Sequence, residues 1–204
     1  MADLDVSTVG ATAGSGVVMD EAGAVRLPRG AANVASLLRI GLGLLYLWAF
    51  LAQGFGIVYK NTEPAAPGAE VTYGWHFDYQ ADAGWISSGF KHSPTEAYVG
   101  KAHGPTAFLI QGLPTGVDDF GWIFAVGGLG IALTLGIGMK IAGWGGFLLN
   151  MIIWFAGFPP TSNPLLDGEH MAFALSILLL MYLRAGNHWG LGRWWSSKTP
   201  AFLH

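Results

Sequence analysis

From Arg39 to Lys60 the chain runs twenty residues without a charge, and from Asp119 to Lys140 it does so again. Each run is long enough to cross the hydrocarbon core of a bilayer as a helix. A third apolar run, from Ile141 to the Pro159-Pro160 break, carries no charge. A fourth ends at Arg184 after passing through Asp167, Glu169 and His170. The pattern predicts four spans, at about residues 34–58, 118–139, 141–158 and 164–186, with a loop of 60–117 between the first two. Asn163 is a good helix N-cap and Pro164 a good first helical residue, which sets the start of the fourth span. Ser93-Pro94-Thr95-Glu96 has the form of a capping box, and Gly104-Pro105 marks a second helix start, so two short helices should lie over the outer end of the bundle. The fold class expected is an all-α integral membrane bundle of four transmembrane helices with a long extracytoplasmic loop. Residues 1–33 and 187–204 read as cytoplasmic tails.

Small residues recur at four-residue spacing on the second span, at Gly128, Ala132 and Gly136, and on the third at Ala142 and Gly146. In lipid, such stripes allow helix backbones to approach closely, so the second and third spans are expected to form a packed hairpin.

Charge then orients the molecule. Lys and Arg are retained on the cytoplasmic side. With the N-terminus inside, seven of the ten basic residues fall at the inner face: Arg26, Arg29, Arg39, Lys140, Arg184, Arg193 and Lys198. Lys60, Lys91 and Lys101 fall outside. A content of 52% hydrophobic and 11% charged residues agrees with a membrane domain and not with a nucleic-acid-binding one. The absence of cysteine excludes thiolate-bound metals and a thiol-borne intermediate, so any redox chemistry must use a borrowed cofactor.

Asp167, Glu169 and His170 are the candidate catalytic residues. Ionisable groups at membrane depth are expensive and usually turn inward for function. Asp167 and His170 share a helix face, while Glu169 points about 100° from His170. A carboxylate–histidine pair suits binding of a quinone headgroup or passage of protons, because histidine titrates near physiological pH. The alternative is that the acids stabilise the helix N-terminus and His170 bonds to the outer loop. A metal site is a weaker reading, since Asp-x-x-His supplies two ligands and Asp118, Asp119 or His103 would have to complete it; no metal is therefore expected. Arg39, near the inner end of the first span, is either a second quinone-binding residue or a topology anchor that snorkels to the interface.

The order of features resembles the DoxX/DoxD family of small four-helix membrane proteins. The resemblance rests on Leu38-Arg39-Ile40-Gly41-Leu42-Gly43, Gly89-Phe90 with Ser93-Pro94-Thr95, Gly104-Pro105, Leu135-Gly136-Ile137-Gly138-Met139-Lys140, Asn163-Pro164-Leu165-Leu166-Asp167 with His170, and Trp189-Gly190-Leu191-Gly192-Arg193-Trp194. It implies a membrane subunit similar to that of thiosulfate:quinone oxidoreductase, possession of a quinone, other membrane subunits as partners, and the inner membrane of a prokaryotic cell. Relatives carry a charge near the outer end of the first helix where this chain has Ala52-Gln53. That departure favours the rival reading, a non-catalytic accessory subunit of a larger respiratory assembly, and neither reading requires this chain to be the catalyst itself.

Overall fold

The computed structural model describes residues 27–60, 76–114, 116–159 and 169–200. It is mostly helical. Three helices are long and apolar enough to cross a membrane: α1 (Arg29–Phe55), α4 (Val117–Leu135) and α5 (Met139–Ala156). A fourth apolar helix, α6 (Glu169–Tyr182), has 14 described residues. Its sequence-predicted start at Asn163-Pro164 lies outside the described residues. Short helices α2 (Glu96–Val99), α3 (Ala107–Gln111) and α7 (Gly192–Lys198) complete the set. Only 33% of the most apolar stretch of α1, and 39% of those of α4 and α5, is buried within the protein. The remaining apolar surface, which includes Leu44, Phe124, Ile131 and Leu148, requires an apolar solvent.

α1 begins five residues earlier than its apolar pattern suggests and stops three residues sooner. Gly56, in the left-handed conformation at φ 71°, ends it by donating its N–H to Ala52 O. A short antiparallel hairpin follows, with β1 (Ile57–Lys60) paired to β2 (His76–Tyr79). Helical periodicity gave no sign of it. The turn between α4 and α5 is made at Gly136 and Gly138, both at positive φ, so α4 ends four residues before the predicted end of the second span at 139.

The helices alternate in direction. Segments 57–60 and 76–114 gather at one end, called here the loop end, and the α4–α5 turn with α7 marks the turn end. The core is built by Leu42, Tyr46, Val126, Leu129, Leu133, Ile177 and Leu180, contributed by α1, α4 and α6.

The glycine stripes pair different helices from those expected. α4 lies against α1, and α5 against α6; the α4–α5 contact is the lesser one. A Cβ on Gly130 would stand 2.7 Å from Leu47 N, one on Gly127 2.7 Å from the Phe50 ring, and one on Gly43 2.5 Å from Thr134 N. On the other pair, a Cβ on Gly143 would meet the Met181 side chain at 2.4 Å. Gly128, in contrast, has open space where its Cβ would be. The stripe that closes α4 onto its neighbour is Gly127, Gly130 and Thr134, about 100° round the helix from the one expected. Gly128 and Ala132 line an apolar groove between α4 and α5.

Gly130→Leu should therefore force α1 from α4 and lower stability by about 1–3 kcal/mol, whereas Gly128→Leu should change it by no more than about 0.5 kcal/mol. Thermal unfolding of both variants in one mild detergent tests the assignment, and equal shifts would contradict it.

Candidate functional site

Both ends of the bundle are organised by the same need. The last carbonyls of each helix lack intrahelical partners, and within an apolar solvent each must find one in the protein. At the loop end the C-terminus of α1 is met by the backbone: Trp85 N–H donates to Gln53 O and Ile86 N–H to Gly54 O, both at 2.8 Å. The C-terminus of α5 is met by the α2–α3 segment. Thr106 Oγ1 donates to Ile152 O at 2.7 Å, Tyr98 Oη to Ile153 O, and the N–H groups of His103 and Gly104 to Ala156 O. Burial pushes the Tyr98 phenol up to about 12, so it stays a donor at neutral pH. Gly104 is fixed by this docking, since a Cβ there would lie 2.0 Å from Phe155 O.

Ser93 and Thr95 attach the same segment to α4. Asp119, buried in the first turn of α4, accepts from Ser93 Oγ at 2.6 Å and Thr95 Oγ1 at 2.7 Å, while Asp118 Oδ2 lies 2.9 Å from Thr95 Oγ1. Both acids also suit the positive helix N-terminus. Half of the expected capping box is present, with Ser93 Oγ accepting the Glu96 N–H at 3.0 Å, and helix α2 begins at Glu96. These bonds give Asp118 and Asp119 structural partners in the α2–α3 segment. Among the described residues no group of three or more His, Asp or Glu is arranged to hold a metal ion.

Arg39 organises the turn end. Its side chain is fully buried and folds into the bundle rather than reaching outward to the interface. Nη1 donates to Leu133 O and to Thr134 O (2.9 Å), and Nη2 to Trp189 O (2.9 Å) and His188 O (3.4 Å). The guanidinium thus caps the C-terminus of α4 from a neighbouring helix, where the negative end of the helix dipole also favours a cation. Leu191 N–H donates to Leu135 O and completes the cap. The loop that brings the carbonyls of 188 and 189 inward holds Arg184 and Trp189 at φ 48° and 47°. Such positions cost on the order of 1–3 kcal/mol each and persist only where the surroundings enforce them. A Cβ on Gly136 or on Gly190 would come within 3.0 Å of the guanidinium. The cavity is shaped closely around this side chain.

The sequence-predicted site residues do not converge. Asp167 lies outside the described residues. Glu169 is exposed at the start of α6 and His170, the next residue, is half-buried. Twelve residues separate His170 from Tyr182 at the end of α6, about 18 Å of helix, and Arg39 is bonded to the loop beyond that end. One headgroup cannot bridge His170 and Arg39.

A polar pair that the sequence did not single out lies between them. Tyr46 on α1 and Asn150 on α5 are both buried; Asn150 Nδ2 donates to Tyr46 Oη at 2.7 Å and to Gly146 O at 2.7 Å, and Tyr46 Oη lies 3.0 Å from Asn150 Oδ1. The Tyr46 ring meets Phe173 edge-on, with centroids 6.3 Å apart. Phe173 is one turn of α6 below Glu169, so the pair is next to the polar start of that helix. An amide inside the third apolar run was the available signal. Gln53 on α1 accepts a hydrogen bond from Trp122 Nε1 of α4.

Searches against protein-family models, curated proteins and solved structures found no match to this chain.

Arg39→Met should leave the carbonyls of Leu133, Thr134 and Trp189 without partners. At about 1–3 kcal/mol for each unsatisfied buried group, it should be the most destabilising single polar substitution. Arg39→Lys, which lacks the planar fork, should fall between it and the wild type. Wild-type thermal stability of Arg39→Met in detergent would refute the capping role.

Proposed function

We propose that the chain is a membrane subunit of a quinone-linked respiratory or oxidoreductase complex in a prokaryotic inner membrane, with four spans and both termini cytoplasmic. The observation that carries this reading is the buried Tyr46–Asn150 pair, next to Phe173 and the Glu169–His170 start of α6. Polar groups at this depth are unfavourable unless they serve packing or function. The Phe173 ring, the acceptor capacity left on the Tyr46–Asn150 pair and the His170 imidazole are groups that can contact a quinone headgroup, the acceptors in its reduced form and the imidazole N–H in its oxidised form. The resemblance to DoxX/DoxD proteins supplies the redox context.

The orientation is supported by the grouping of Arg29, Arg39, Lys140, Arg184, Arg193 and Lys198 at the turn end, since basic residues favour the cytoplasmic side. A helix begun at Pro164 would give the fourth span 19 residues to Tyr182, close to the ~20 that a crossing needs.

The second reading, an accessory subunit without chemistry, also has an observation in its favour. Tyr46 and Asn150 satisfy each other, and Arg39 is occupied in capping α4. On that account each deep polar group serves the fold.

Single cysteines test the orientation cleanly because the chain has none of its own. His92→Cys, exposed at the loop end, should react with an impermeant thiol reagent on intact cells, and Ser197→Cys should not. Labelling at 197 would invert the topology.

His170 separates the two functional readings. If it binds quinone or relays protons, His170→Ala should lower quinone-dependent turnover per assembled complex by about 10²-fold or more. His170→Gln, which keeps a hydrogen bond but cannot titrate, should restore binding more than turnover. Full turnover in assembled His170→Ala complexes would leave the accessory reading.

A further inference from the structure

Among the described residues, three buried side-chain polar atoms have no hydrogen-bond partner: Arg39 Nε, Thr134 Oγ1 and Trp154 Nε1. The first two adjoin the Arg39 cap, since the guanidinium holds the carbonyl of Thr134. Trp154 Nε1 is by itself, near the loop end of α5. Unpaired buried donors are rare, because the water they lose is not replaced, and hydrocarbon offers no substitute.

The packing of α5 on α6 fixes what stands opposite this N–H. A Cβ on Gly143 would meet the Met181 side chain, and one on Gly146 would lie 3.2 Å from Ile177 Cγ2. The two helices run antiparallel, so each turn forward along α5 answers a turn back along α6. Continuing that register puts Asn150 level with Ala174 and Trp154 level with His170. Both residues are also on the facing sides. Trp154 shares a stripe of α5 with Gly143 and Asn150, and His170 shares one of α6 with Ala174, Ile177 and Met181. Packed helices are about 8–10 Å apart, a gap that an indole and an imidazole together span. Glu169, exposed and turned about 100° from His170, is not on that stripe. The rings of Phe155 and Phe158, with centroids 4.7 and 5.3 Å from that of Trp154, hold the indole in place. A ring face is only a weak acceptor. A neutral imidazole carries one strong acceptor nitrogen.

We infer that Trp154 is the positioning residue for His170: its indole N–H donates to one nitrogen of the neutral imidazole and fixes the tautomer. The other imidazole nitrogen then carries the proton and faces away from α5 as a donor. His170 is thereby committed to ligands that accept a hydrogen bond. The bond is internal to the chain, so it holds whether or not the ligand is a quinone.

The experiment is nuclear magnetic resonance of the full chain, ¹⁵N-labelled at His and Trp, in mild detergent. At about pH 8 an imidazole with the ordinary pKa of about 6.5 is neutral. The signals of the two residues are identified by their loss in His170→Gln and in Trp154→Phe. In the wild type, one His170 tautomer should exceed the other by about tenfold, the upper range for one net hydrogen bond. Trp154 Nε1 should also show scalar coupling across the bond to the unprotonated imidazole nitrogen. Trp154→Phe, which keeps a ring and removes the N–H, should return His170 to a mixture of tautomers. Should that variant fail to fold, the wild-type coupling decides alone. A mixed His170 in the wild type, or no coupling between the two residues, would overturn the assignment. So would a single tautomer that survives in Trp154→Phe, since another group would then orient the ring. None of these readouts uses quinone, so their failure is separate from any failure of quinone-dependent turnover.

Discussion

Arg39 shows most directly the constraint under which this fold is built. A helix that ends in or near hydrocarbon leaves carbonyl groups that water cannot reach, and each one unpaired costs about 1–3 kcal/mol. α4 ends at Leu135 with too little following chain to turn back and cap it, because the turn into α5 is only Gly136 to Gly138 long. The cap therefore comes from a different helix. A guanidinium can do this where an ammonium could not do it as well, since its planar fork holds several acceptors at fixed angles. Burying a cation is itself unfavourable, and it is tolerated here because carbonyl dipoles from α4 and from residues 188 and 189 surround it. No carboxylate is needed. The same loop is bent through two left-handed non-glycine residues to deliver its share of those dipoles.

The loop-end segments follow from the same requirement. The N–H groups of 85 and 86 cap α1, and Thr106, Tyr98, His103 and Gly104 cap α5. Asp118 and Asp119 hold Ser93 and Thr95, so the segment that caps α5 is attached to α4. What reads in sequence as a long connecting loop is in part a set of lids on helix ends. Its two short helices carry little hydrophobic burial of their own, with Ala107 the one buried residue within them.

The sequence made three spanning helices legible because a run of about twenty residues without charge is rare except where a helix crosses hydrocarbon. It could not say which helices pair. Gly127 and Gly128 are adjacent, about 100° apart on the helix, and α4 offers small residues on both faces; only the Leu47 backbone and the Phe50 ring decide that the face of Gly127 and Gly130 is the closed one. Arg39 was legible as a deep cation but not as a cap, because its acceptors lie 94 to 150 residues further along the chain. The hairpin of β1 and β2 escaped for a local reason: four-residue strands are too short for alternation to stand out beside an aromatic cluster. Of the candidate site, Glu169 and His170 were legible through charge in an apolar run. Tyr46 and Asn150 were not, since an uncharged hydroxyl and amide do not interrupt hydrophobicity enough to draw notice.

The hydrogen-bond inventory of that pair limits what chemistry it can support. Asn150 has two amide protons, and both are used, one on Tyr46 Oη and one on Gly146 O. The single Tyr46 proton is directed at Asn150 Oδ1. What remains on the pair is acceptor capacity, chiefly the second lone pair of Oδ1. Acceptors suit a quinol, whose hydroxyls donate, and do nothing for the carbonyls of an oxidised quinone. To hold the oxidised form the pair would have to open and exchange one internal bond for another, with little net gain. An imidazole N–H is a donor outside the pair, and His170 is the imidazole near the start of α6, one turn before Phe173. On the quinone-linked reading, then, Tyr46 and Asn150 favour the reduced headgroup and His170 the oxidised one.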